Sequence, residues 1–276
     1  DAMRPGAWLV FGAITAATSA CGGSDAGSEA EAESEGESWW TPDSNTTWQW
    51  QLTGAIDTSF DVAMYDIDLF DSTQDAIAAL HDAGRIVICY FSAGSWEDWR
   101  NDASQFPDAA IGNDLDGWPG ERWLDVRDER VRGILQARLD EAVTKTCDGV
   151  EPDNVDGYAN DSGFDLTGDD QLDFNRFLSE EAHARGLSIG LKNDLAQIPD
   201  LLDAFDWSLD EECFLFDECD ALAPFIDAGK PVFQTEYADV GEENARADDV
   251  CADANARGLE TLIKHLELDA YRLACR

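Results

Sequence analysis

Three times in this chain a helical stretch ends in glycine and an apolar strand follows at once. Residues 72–83 stop at Gly84 before the run 85–91, residues 171–185 stop at Gly186 before 187–192, and residues 221–228 stop at Gly229 before 231–234. Glycine closes a helix because it adopts the left-handed conformation without steric cost. The strand after it must then run parallel to the strand before the helix. A further helix is read over 129–144, where Val131, Ile134, Leu135, Leu139 and Val143 recur near a 3.6-residue period. Strands are read at 48–52, 62–66, 85–91, 149–151, 187–192, 207–209, 231–234 and 260–264. Eight strands alternating with helices predict an α/β fold of the (β/α)8 TIM-barrel type. A doubly wound open sheet is the alternative, disfavoured because no Gly-rich phosphate loop follows the first strand.

The repeat occupies only part of the chain. Met3 and Arg4 precede an apolar run, 7–14, then small residues up to Cys21, which reads as a signal peptide over 1–21. Small residues before Cys21 and glycines after it resemble a lipobox, with Thr18 where that pattern usually has Leu, so Cys21 is the expected lipidation site. Residues 22–38, GGSDAGSEAEAESEGES, contain no aromatic and read as a disordered acidic linker. The folded domain is expected over 39–276, starting at Trp39-Trp40. Without Cys21 six cysteines remain, and in an oxidising compartment all six can pair. Fifteen connectivities are possible for six cysteines. Loop proximity favours Cys213 with Cys219 and Cys251 with Cys275, which leaves Cys89 with Cys147. The protein is expected outside the cytoplasm, secreted or membrane-anchored through Cys21 alone, and monomeric.

Charge narrows the partners. Lys and Arg number 18 against 59 Asp and Glu, a net charge of −41. Phosphate backbones would be repelled, which excludes nucleic acid, whereas a cationic ligand would be drawn in. The Asp-rich run 153–170 does not match the twelve-residue calcium loop, and no CxxC or His-rich spacing suggests zinc. No metal and no cofactor are expected.

In a barrel of this kind the functional residues sit at the C-terminal strand ends. Those ends give Gln51, Asp66, Asp68, Ser92, Asp153, Lys192, Asn193, Asp210, Glu211 and Glu236, a cup rich in carboxylates. Trp50, Tyr90, Trp96, Trp99, Trp118, Trp123 and Tyr237 lie in or near the same loops. Paired carboxylates among aromatic faces suit glycosidic cleavage: one protonates the leaving oxygen, and the other attacks or activates water.

The stretches WQWQLTG (48–54), YDIDLFD (65–71), ICYFSAG (88–94), WPGERWLD (118–125), CDGVEPDNVDG (147–157), GLKN (190–193), EEC (211–213) and VFQTEY (232–237) resemble glycoside hydrolase family 114. That is the endo-α-1,4-polygalactosaminidase family. The resemblance implies a (β/α)8 barrel that cleaves α-1,4-linked galactosamine polymers, a cationic polysaccharide suited to an acidic protein. It maps the catalytic pair onto Asp153 and Glu211, with Glu236 as the rival for the second acid. Asp210-Glu211-Glu212-Cys213 stands where the family usually has Asn-Glu-Gln-Cys. Substrate contacts are expected from Trp50, Asp66, Asp68, Tyr90, Trp118, Asp125, Asn154, Lys192, Glu236 and Tyr237. Two other readings stay open: a non-catalytic lectin for amino-sugar polymers, and a barrel hydrolase of another glycan.

Overall fold

The computed structural model describes residues 39–276. The expected signal peptide (1–21), linker (22–38) and lipidation site, Cys21, lie outside the described residues. In chain order the strands are β1 (Trp48–Gln51), β2 (Met64–Asp68), β3 (Ile86–Ser92), β4 (Ser95–Glu97), β5 (Ile111–Asp114), β6 (Glu121–Leu124), β7 (Gly149–Asp153), β8 (Ser188–Lys192), β9 (Trp207–Glu211), β10 (Val232–Tyr237), β11 (Glu260–Lys264) and β12 (Leu273–Ala274). The helices are α1 (Gln74–Asp82), α2 (Glu129–Lys145), α3 (Gly168–His183), α4 (Ile198–Leu201), α5 (Ala223–Asp227) and α6 (Glu243–Arg257).

Eight strands form one parallel sheet in the order β1-β2-β3-β7-β8-β9-β10-β11, with β12 antiparallel on β11. All eight strands read from the sequence are present, each starting within two residues of its expected place. The three predicted glycine stops have positive φ, as does a fourth, Gly258, between α6 and β11. Caps start the helices: Thr73 for α1 and a Thr167/Asp170 capping box for α3.

The expected eightfold repeat needs correction at two strands. Among the described residues no helix follows β1 or β11, so six of the eight strands carry one. No ladder joins β1 to β11 either. The sheet nevertheless curls until these strands meet through side chains and the C-terminal segment. Trp48 Nε1 donates to the Glu260 carbonyl at 2.8 Å, Arg272 Nε to the Trp48 carbonyl at 2.7 Å, and Leu52 N to the Leu268 carbonyl at 2.9 Å. The Cys251–Cys275 bridge fastens that segment to α6. The Cys89–Cys147 and Cys213–Cys219 bridges are also formed.

Strand alternation divides the apolar residues into two cores. Val87, Cys89 and Phe91 of β3 face outward and pack with Ile77 and Leu80 of α1 and Leu135 and Leu139 of α2. Ile88 faces inward, into a second cluster with Trp48, Trp50, Met64, Trp207, Leu209, Phe233 and Leu262. This inner cluster is the floor on which the polar strand ends stand.

The sequence reading placed no element between β3 and α2. The chain there forms a small antiparallel sheet, β4-β6-β5. Buried arginines hold it down. Arg138 of α2 donates to both Asp102 oxygens at 2.8 and 2.9 Å and to the Ser92 carbonyl at 2.6 Å.

Asp194, just beyond β8, is buried and accepts from Asn175 Nδ2 at 2.9 Å. Burial, then the charge of Asp156, raises its pKa to about 8. The unfolded chain therefore releases this proton first as pH rises from about 4, and folded stability falls until about pH 8. Asp194→Asn should match the parent in stability near pH 4 and exceed it increasingly up to pH 8, since Asn also tolerates the positive φ of 46°. Denaturant melts across that range check this, and a difference independent of pH would contradict the assignment.

Candidate active site

The centre of the site is a buried ammonium. Lys192, the last residue of β8, is 2% exposed. Its Nζ lies 2.9 Å from Glu151 Oε1, 3.2 Å from Asp153 Oδ1 and 3.2 Å from Glu211 Oε2. It also sits 4.8 Å from the Trp50 ring centroid. Burial alone would lower the lysine pKa, but Asp153, Glu151 and Glu211 outweigh it and hold the group charged, well above its ordinary value.

Each of the upper two carboxylates has its own tyrosine. Tyr90 Oη donates to Asp153 Oδ2 at 3.0 Å, and Tyr237 Oη donates to Glu211 Oε1. Burial, then the neighbouring carboxylates, pushes both phenols well above their usual pKa, so both stay donors. Asn154 N donates to Asp153 Oδ1 at 2.7 Å, while the Asn193 amide receives Glu211 N at 3.0 Å and donates to Glu211 Oε2 at 3.3 Å. Asp153 and Glu211 thus carry dense donor shells and keep oxygens open to solvent, with 18% and 26% of their side chains exposed.

Backbone geometry turns the strand ends into the cup. Asn154, Asn193 and Glu212, the residues directly after Asp153, Lys192 and Glu211, have φ of 60°, 47° and 60°. The left-handed residue turns each strand sharply once its functional side chain is in place. Gly94 allows one of these turns: a Cβ there would lie 1.7 Å from the Asn154 carbonyl oxygen.

A cavity of ≈ 690 Å³ opens above the ammonium. Tyr90, Trp118 and Phe216 supply aromatic surface to its walls, and Trp118 and Phe216 are half or more exposed. Glu121, Asp156, Glu212 and Glu218 add carboxylates to Asp153 and Glu211, whereas Lys192 is the only basic lining residue among those described. Among the described residues no three His, Cys, Asp or Glu side chains are gathered as metal ligands. The carboxylates that converge already hold the Lys192 ammonium.

The structure brings together Trp50, Tyr90, Trp118, Asp153, Asn154, Lys192, Glu211 and Tyr237 along this cavity. Four other expected contacts fall elsewhere. Glu236 is fully buried on the outward face of β10, paired with Arg246 and accepting from Phe214 N at 3.0 Å. Its neighbours Thr235 and Tyr237 alternate with it, and Tyr237 is the one that lines the cavity. Asp68 is clamped by Arg100 at 2.7 and 3.0 Å and receives Phe70 N and Asp71 N, so it anchors the β2 turn. Asp125 is paired with Arg127 through both oxygens. Asp66 is buried beneath the site, inside β2, a strand that begins two residues later than expected. Sequence reasoning missed Glu151, although Glu151, Asp153 and the cavity share one strand parity, and it missed Glu121 on the unforeseen β6.

Residues 29–276 match glycoside-hydrolase family GH114. The chain is 46% identical to Ega3 of Aspergillus fumigatus, whose crystal structure is a complex with galactosamine, with a TM-score of 0.83 over 86% of this chain and 98% of that one. At 13% identity it shares the fold of the glycoside hydrolase domain of PelA from Pseudomonas aeruginosa, TM-score 0.66 over 84% of this chain and 99% of that one. No curated protein sequence matches.

The Glu236–Arg246 pair yields a test that separates stability from turnover. Glu236→Gln should destabilise the fold by somewhat less than the ~3–5 kcal/mol of breaking a fully buried pair, because Arg246 is partly exposed. Turnover of the folded fraction should stay within about tenfold, a change under 1.4 kcal/mol. Loss of turnover with unchanged stability would return Glu236 to the reaction.

Proposed function

The chain belongs to glycoside-hydrolase family GH114, and we propose that it cleaves α-1,4-linked galactosamine polymers with Asp153 and Glu211 as the working pair. One observation carries this reading: two carboxylates from different strands converge on one buried ammonium in a cleft with aromatic walls. We read the curled sheet as a (β/α)8 barrel lacking two helices, with the cleft at its C-terminal face as that architecture demands.

The pair's spacing supports a retaining course. Asp153 Oδ1 and Glu211 Oε2 each lie 3.2 Å from Lys192 Nζ, so they are at most twice that distance apart. Retaining enzymes hold their two carboxyl groups about 5–5.5 Å apart, a spacing within that limit. One group, ionised, attacks the anomeric carbon as the other, in its acid form, protonates the departing glycosidic oxygen. Water then cleaves the glycosyl ester, giving its proton to the second group. Tyr90 and Tyr237 hold the two carboxylates in line through their hydroxyls. Pre-set geometry of this kind acts on the transition state rather than on binding.

Substrate class follows from the charge of the walls. The carboxylates outnumber Lys192 along the cleft, which favours sugar ammonium groups. Ega3, the 46% identical relative, is seen with galactosamine. The lectin alternative has no observation in its favour, since both acids are present and converge. Three disulfides support a place of action outside the cytoplasm. Lipid attachment at Cys21 and a monomeric state complete the reading.

Asp153→Asn and Glu211→Gln keep shape and remove the acid. Each should lower kcat by several orders of magnitude while polymer binding persists, as measured by reducing-end release and by a pull-down on insoluble galactosamine polymer. Release from N-acetylated polymer or chitosan matching that from galactosamine polymer would redirect the substrate assignment. Proton NMR of the first product should show the α-anomer, and the β-anomer would refute retention. Binding should also weaken as salt rises from about 0.05 to 0.5 M, because screening shortens the reach of the acidic cleft.

A further inference from the structure

Beneath the reacting pair lies a second carboxyl pair that the reaction as described does not use. Glu151 and Asp66 are fully buried on β7 and the adjacent interior of the sheet. Glu151 Oε1 accepts from Lys192 Nζ at 2.9 Å and Oε2 from Trp50 Nε1 at 3.1 Å, so its charge is matched by donors. Asp66 has none: both oxygens are buried without a donor. An ionised carboxylate in that position would face the Glu151 charge with no compensation. Asp66 of β2 lies in register with Trp50, whose indole reaches Glu151, so a protonated Asp66 becomes a donor itself with Glu151 as the acceptor beside it.

We propose that Asp66 and Glu151 share one proton and one negative charge, and that this charge locks Lys192 beneath Asp153 and Glu211. The inference rests on the reading of those two acids as the working pair. Asp66 and Glu151 are then positioning residues. Asp66 acts on Glu151, Glu151 on Lys192, and Lys192 on the reacting carboxylates.

The surroundings are consistent on every side. Charged or titratable groups face Lys192 from four strands, Asp66 on β2, Tyr90 on β3, Glu151 and Asp153 on β7 and Glu211 on β9, joined by Asp156 just beyond β7, while Tyr237 of β10 holds Glu211. Burial, then the charge of Glu151, drives Asp66 well above the carboxylate range. Had both buried acids been ionised, they would compete with the upper pair for Lys192 and weaken its hold there. With Asp66 neutral, one buried anion balances the ammonium without cancelling its pull upward.

The pH dependence of kcat/KM tests the charge arrangement, because both limbs report the free enzyme's reacting groups. Glu151→Gln removes a negative charge close to Asp153 and Glu211, so both limbs should move about 1–2 units to lower pH. Lys192→Met should move them the opposite way. Asp66→Asn imitates the neutral acid and should leave the limbs in place whatever its effect on the rate. Limbs unmoved by Glu151→Gln, or shifted alike by Asp66→Asn and Glu151→Gln, would overturn the proposal. A difference infrared spectrum at neutral pH, unmodified enzyme minus Asp66→Asn, is the second readout: it should show the loss of one protonated-carboxyl band, the buried Asp194 contributing alike to both proteins. It decides the matter if Glu151→Gln does not fold, and a difference spectrum without that band would overturn the shared proton. The two readings fail separately: activity surviving in Asp153→Asn would sink the catalytic pair, whereas the infrared band tests Asp66 in the resting protein.

Discussion

A lysine kept charged without solvent contact needs negative charge around it, and the architecture of the site follows from meeting that demand at Lys192. A charge of this size costs several kcal/mol to bury even after relaxation, so the fold has to bring carboxylates to it. They come from β7 and β9, the strands on either side of β8. Neighbouring parallel strands place matching inward residues side by side. One cation on the middle strand can therefore bridge acids on the outer two. The same contact keeps two carboxyl groups close together, and that closeness is what a two-carboxyl cleavage uses. The charge pattern is thus a constraint on folding and on chemistry together.

Positioning then depends on the strand period. Side chains alternate between the interior and the helix layer, so a one-residue difference moves an acid from the cleft to the outer core. Glu236 and Tyr237 show it directly: the first is buried against Arg246, the second holds Glu211. Glu151 and Asp153 differ by two and share a face, one layer apart. The acids at strand ends therefore belong to three environments: the cleft, the buried floor and the helix layer.

Much of the fold was legible because its signals are local. Glycine stops at Gly84, Gly186 and Gly229 and the apolar runs after them depend only on nearby residues, and all eight parallel strands start within two residues of where local signals put them. The β4-β6-β5 sheet escaped because strands such as IGND and ERWL are short and mix charge with apolar residues. What holds them is non-local, chiefly the Arg138 and Arg100 pairings. Within the site, Asp153, Lys192 and Glu211 were legible as strand-end residues. Asp68 and Asp125 were misplaced because the sequence does not disclose which arginine will claim a carboxylate, here Arg100 and Arg127. The β2 strand runs two residues further along than the apolar run suggested, and that shift turned Asp66 from a rim residue into a buried one. Parity applied to β7 and β10 would have found Glu151 and set Glu236 aside from the sequence alone.

Closure of the cup requires the chain to turn at once after each functional side chain, and this explains why the strained residues gather there. Asn154, Asn193 and Glu212 all carry positive φ immediately after the residues that meet at the ammonium. Such conformations cost of order 1–3 kcal/mol each and persist only where the surroundings over-determine them. Here the side-chain bonds supply the determination. Asn154 Nδ2 reaches Ser92 at 2.9 Å, and the Asn193 amide clasps Glu211. After Glu212 the Cys213–Cys219 bridge closes a short loop whose Phe214 amide is held by Glu236. The acid that parity removes from the cleft thus helps to fix the loop that follows Glu211. Lys192 gathers the acids, the left-handed turns stop the strands there, and the bridged loop supplies the rigid lip that carries Phe216 over the cleft.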